Sequence, residues 1–159
     1  MTMQVSETLI YDEKSFQIKT FSDGDPFDLQ SMGLNPIPAS SACWQGYSCT
    51  YEIKDYRLYL QYIIVNHSND MKSPSKTPPP PINDINSSIS NYAHIGYWEY
   101  SNINLLVNYN GEILIANNLK SNARRSSLPP RLYQYDTIYK LSFTNGVLLD
   151  SKNITKDLI

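Results

Sequence analysis

The chain has 159 residues, 41% of them hydrophobic, with a formal net charge of -2 and a sequence pI near 5.6. That is enough for one domain with its own core, and it lacks the basic excess of a dedicated nucleic-acid binder. No apolar run approaches the ~18 residues of a membrane-spanning helix, and residues 1–16 have neither the basic start nor the apolar centre of a signal peptide, so a cytoplasmic protein without a membrane contact is expected.

Residues 9–21 predict a strand or hairpin with Ile10, Phe16 and Ile18 as apolar anchors. Residues 22–41 are broken by Gly24, Pro26, Gly33, Pro36 and Pro38, which predicts loop with one short helical turn at 26–31. The stretch 42–65, ACWQGYSCTYEIKDYRLYLQYIIV, then carries the clearest pattern. A turn at Asp55-Tyr56 pairs Lys54 with Arg57, Ile53 with Leu58, Tyr51 with Leu60 and Cys49 with Tyr62. Side chains alternate along a strand, so the last three pairs share one apolar face. Glu52, Tyr59, Thr50 and Gln61 form the largely polar opposite face, and a slip of one residue mixes the two sets. The weak point is the turn, because Asp-Tyr is a poor type I′ pair and Asp55 needs a positive φ.

Residues 66–91 hold Pro74 and the run Pro78 to Pro81 among Ser, Asn, Asp and Lys. Such a stretch predicts a surface excursion in extended conformation that buries no core. In residues 103–119, Asn110-Gly111 predicts a hairpin pairing Tyr109 with Glu112, Asn108 with Ile113 and Val107 with Leu114. Apolar residues fall on both faces there, which predicts a central place in the sheet. Residues 120–130 predict a basic loop. Residues 137–149 predict a second hairpin at Asn145-Gly146, with Tyr139, Leu141 and Phe143 alternating with polar neighbours. Residues 152–159 are expected to fray. No stretch has a clean helical period. The reading is a single domain, 1–159, of all-β or β-dominated α+β class, built from hairpins with long loops as a single antiparallel sheet, a sandwich or a partly open barrel.

The motif CWQGYSCTYEIKDYRLYL resembles one in a group of uncharacterised bacterial proteins, where Cys-Trp-Arg-Gly-Tyr leads into Trp-Glu-Ile-Lys and then Leu-Tyr-Leu. The matching residues are Cys43, Trp44, Gly46, Tyr47, Glu52, Ile53, Lys54, Leu58, Tyr59 and Leu60. Tyr11-Asp12, NYNGEILIA and YKLSFTNGVLL are similar to further elements of that group. Gln45 and Tyr51 depart from it, standing where the group tends to have Arg and Trp. The resemblance implies a β-rich fold and a bacterial origin, and it implies no activity.

No catalytic constellation, metal-ligand spacing or phosphate-binding glycine loop is present, so no catalytic residue, metal or cofactor is expected. His67 opens a polar loop and is expected to be solvated. His94 precedes Gly96-Tyr97-Trp98, where an aromatic pocket is imaginable, although a packed or surface histidine is the ordinary case. Cys43 and Cys49 read as two small buried side chains, since a reducing cytosol keeps thiols free. Acidic residues at Asp12-Glu13 and Asp23/Asp25 are ordinary turn residues. Lys120, Arg124, Arg125 and Arg131 read as a solvated loop before any phosphate contact.

The remaining signal is aromatic. Trp44, Tyr47, His94, Tyr97, Trp98 and Tyr100, with Tyr92 beside them, flank Gly46 and Gly96, and Tyr and Trp around exposed glycines often build binding faces. The leading expectation is a non-catalytic binding protein of immunity or inhibitor type that neutralises a toxin. Its partner is a protein, nucleic acid is not expected, and the oligomeric state is open. One alternative is a small-molecule- or peptide-binding β-barrel or sandwich with a pocket near Trp44 and Trp98. Another is an enzyme centred on His94.

Overall fold

In the computed structural model of the protein, residues 6–119 and 131–155 are described. The predicted basic loop 120–130 and residues 156–159 lie outside them. The strands are β1 (Thr8–Tyr11), β2 (Lys14–Phe21), β3 (Tyr47–Lys54), β4 (Arg57–Val65), β5 (Ser88–Ile89), β6 (Trp98–Tyr100), β7 (Leu105–Leu106), β8 (Gly111–Leu119), β9 (Tyr135–Thr144) and β10 (Val147–Asn153). They form one sheet in the order β10-β9-β8-β2-β1-β3-β4-β6-β5, with β7 also pairing β4. The domain is β-dominated, as the sequence predicts. The sheet is mixed, because β1 runs parallel to β3. It is also partly ringed: β10 returns to β4 at Val147↔Arg57, where Leu58 N–H donates to Gly146 O at 2.9 Å and Leu148 N–H to Tyr56 O at 2.6 Å.

Each tight hairpin is a type I′ turn with both central residues left-handed: Asp12-Glu13 (φ 53 and 63), Asp55-Tyr56 (φ 50 and 62) and Asn145-Gly146 (φ 50 and 75). The inner faces of the strands meet in one core, where Leu9, Leu58, Leu60, Ile63, Ile113, Ile115 and Leu141 are fully buried. Leu9, rather than Ile10, anchors β1, since Leu9 pairs Phe16 on the inner face and Ile10 falls on the other. The β3–β4 register holds from Lys54↔Arg57 to Tyr51↔Leu60 and then slips. Gln61 is the extra residue of a bulge, so Cys49 pairs Ile63 rather than Tyr62, and Tyr62 turns outward to donate to Glu99 at 2.5 Å.

Asn110-Gly111 does not make the predicted hairpin. β8 is central, as expected, and both of its edges are occupied by β2 and β9. Residues 105–106 therefore have no edge of β8 to join and pair with β4 instead. The short helical turn lies at Gln30–Met32, a little beyond 26–31.

Residues 66–91 form an anchored strap that ends in β5, and they do bury apolar surface through Ile82 and Pro79. Trp98 Nε1 donates to Ser75 O at 2.9 Å and Tyr100 Oη to Pro80 O at 2.6 Å. His67 is buried, against the expectation of a solvated side chain. Its Nδ1 accepts from Asn35 N–H at 3.0 Å, and burial lowers its pKa. Lys152 and Asn153 do not fray, because they pair with Lys140 and Tyr139. No helix of the described residues is long and apolar enough to cross a membrane.

Candidate functional site

Gly46 and Gly96 are buried rather than exposed, and they explain how two aromatic loops come together. A Cβ on Gly46 would stand 2.0 Å from Ile37 O, and one on Gly96 would stand 2.5 Å from Val65 C. Only glycine allows these backbones to approach so closely. The loop before β3 is thereby pressed onto residues 36–38, and the loop before β6 onto the end of β4. The two loops are then tied to each other. Ser40 Oγ donates to His94 O at 2.6 Å, and the Cys43 thiol lies 3.6 Å from Ile95 O. Cys43 and Cys49 are free thiols and both are buried.

The predicted site residues separate into three groups. Trp44 is 63% exposed, His94 is exposed, and the Tyr92 ring stands edge-on to His94 at 6.3 Å. Tyr47 and Tyr97 are half-buried. Trp98 and Tyr100 belong to the core, with their polar tips committed to the strap. Burial pushes the Tyr100 hydroxyl up to about 12. Tyr97 packs against Trp98 at 5.2 Å and carries the Lys76 ammonium 4.5 Å from its ring centre. Trp44 on one tied loop and the Tyr92–His94 pair on the other are thus the outward aromatic residues, and Ile89 of β5 is a further exposed apolar side chain.

Acidic residues gather at Tyr47, three residues along the chain from Trp44. Tyr47 shares an open cleft of about 340 Å³ with Asp25, Phe27, Asp28 and Pro36. The Tyr47 hydroxyl lies 3.5 Å from Asp25 Oδ2, and its pKa is raised by burial first and then by the charges of Asp25 and Glu7. Behind it Glu7 carries a buried Oε2 with no hydrogen-bond partner, and its carboxyl is pushed up to about 7, mostly by burial and then by Asp25. Sequence reasoning took Asp25 for a turn residue and missed Glu7. Neither has a motif, and their meeting depends on β1 lying parallel to β3. Among the described residues, no three His, Cys, Asp or Glu side chains gather as a metal would require.

Comparison of the chain with protein-family models, with curated proteins and with solved structures finds no match among any of them.

Proposed function

We propose that the chain is a binding protein without catalysis of its own, which covers a basic protein partner in the manner of an inhibitor that neutralises a toxin. One observation carries the reading: exposed Trp44 and Tyr92 stand on loops tied to each other, and Tyr47, three residues along the chain from Trp44, lines the acidic cleft of Asp25 and Asp28. Rigid aromatic side chains lose little entropy when they anchor a partner, and a nearby acidic surface speeds the approach of a basic one. Trp98, with its indole N–H held by Ser75 O, is not available as a wall of a ligand pocket.

The test is a native pull-down followed by binding measurements on what is captured. One stoichiometric basic protein is expected, and Trp44→Ala with Tyr92→Ala should weaken its binding at least tenfold, about 1.4 kcal/mol, at unchanged melting temperature. Capture that survives both substitutions would remove the aromatic face from the interface, and an empty pull-down would end the inhibitor reading.

A further inference from the structure

A second, separate depression lies on the outer face of β1, β3 and β4. It is a cleft of about 420 Å³ lined by Ile10, Glu52, Lys54, Gln61, Asn102 and Asn104. Lys54 is seven residues along β3 from Tyr47, so the cleft is roughly 23 Å from the acidic cleft at Tyr47 at ~3.3 Å per residue.

Its polar groups are held in place from several sides. Lys54 Nζ donates to Asn104 Oδ1 at 2.7 Å, and Gln61 Nε2 donates to the same oxygen at 3.0 Å. Gln61 Oε1 accepts from Asn104 N–H at 3.0 Å. The bulge in β4 is what aims Gln61 there, and Gln61 O also accepts from Ile103 N–H. From the far side Asn83 Nδ2 donates to Ile103 O at 2.8 Å, and the buried Ile103 side chain pins the loop to the core. Asn102 and Asn104 sit at φ 55 and 51, a conformation costly to most residues and retained here by these bonds.

The chemistry of the cleft is amphipathic and balanced in charge. Glu52 and Lys54 point the same way from β3 and contribute one charge of each sign, and two amides supply both donors and acceptors. Ile10 pairs with Glu52 across β1, and Tyr59 pairs with Glu52 across β4, with the Lys54 ammonium 5.0 Å from the Tyr59 ring centre. Next to Tyr59 in the sheet stands half-exposed Leu106. A ligand that fits offers alternating hydroxyls along its rim and a C–H face toward the sheet, carries no net charge and needs no deep enclosure.

We propose that this cleft binds a neutral saccharide, with Glu52 and Lys54 bridging neighbouring hydroxyls and Tyr59 flanking the sugar face. The site is independent of the protein-binding surface around Trp44.

Saturation-transfer NMR of the full chain tests it, using a panel of neutral mono- and disaccharides (glucose, galactose, mannose, xylose, N-acetylglucosamine, maltose and cellobiose). Transfer to the ring protons of at least one sugar is expected. Glu52→Gln and Lys54→Met should each reduce its affinity about tenfold, the loss of one charge-assisted hydrogen bond, and Trp44→Ala should leave it unchanged. Both substitutions fall on the sheet surface, and amide spectra check that the fold survives. No transfer from any sugar overturns the proposal. So does transfer that both variants retain, and so does binding of glycine betaine or a free amino acid in place of every sugar.

Discussion

Glu7 is the residue whose chemistry most clearly depends on the fold. Asp25 faces it from the loop after β2, and Tyr47, Cys49 and Tyr51 face it from β3, so its neighbours are acidic or neutral. Below the ordinary carboxyl value of 4.5 the group is protonated in both folded and unfolded chains, and the fold is not penalised. As pH rises from there through about 7, the unfolded chain ionises first, and the stability that came from a neutral buried carboxyl is lost. The carboxyl is mostly but not wholly buried, and residual screening holds the effect to about 2 kcal/mol. Glu7→Gln should therefore match the parent near pH 4.5 and exceed it by that amount near pH 8. Urea melts at both pH values give the difference directly, and equal gains at both would show that the carboxyl is not buried as described. His67 acts in the opposite sense. Its lowered pKa makes the fold lose stability as pH falls through the ordinary histidine range, which is why the Glu7 effect is read as a difference between variants.

The hairpins show which elements local pattern can specify. Asn145-Gly146 forms its turn because both residues accept positive φ cheaply and the flanking strands alternate. Asp55-Tyr56 adopts the same geometry with an unsuitable second residue, because the apolar set Tyr51, Ile53, Leu58 and Leu60 fixes the register whatever the turn prefers. The strain remains in Tyr56, which is 72% exposed and packs little that a substitution would lose. Tyr56→Gly should stabilise the protein by about 1 kcal/mol, measured as a shift in the urea midpoint. An unchanged midpoint would mean that Tyr56 pays its strain back through contacts with β10. Gly146→Ala should do the reverse. A methyl there meets Val107 O at 2.2 Å in a left-handed backbone, and about 2 kcal/mol or more should be lost. The bulge at Gln61 was not legible, because nothing in LYLQYIIV marks where two residues face one. Asn110-Gly111 misled for a related reason. Its local signal is sound, but β2 reaches the edge of β8 from almost a hundred residues away, and no short-range pattern reports that competition.

At the scale of the molecule, the β class follows from alternation and the central place of β8 from apolar residues on both its faces, while the ring and the strap depend on contacts distant in sequence. Trp44, Trp98 and Tyr100 read alike in sequence, as members of one aromatic set, yet Trp44 is exposed while Trp98 and Tyr100 lie inside. What separates them is the strap, whose prolines suggest a stretch that avoids the core. Polar composition kept residues 66–91 from reading as packed, yet their backbone carbonyls are the acceptors that make a buried indole and a buried phenol affordable. The pinning can be tested apart from global stability. Trp98→Phe keeps most of the ring in place and removes only the donor to Ser75 O, leaving that carbonyl unpaired at a cost of about 1–2 kcal/mol. That cost falls on local opening of the strap, so its open population should rise about tenfold. Lys72 and Lys76 are exposed on the strap and Lys140 lies in β9, which gives trypsin one set of sites that should respond and one that should not. Under native conditions cleavage at Lys72 or Lys76 should accelerate about tenfold in Trp98→Phe while cleavage at Lys140 stays at the parent rate. If both accelerate together, the indole supports the whole sheet rather than the strap. If neither does, Tyr100 and His67 hold residues 66–91 without it.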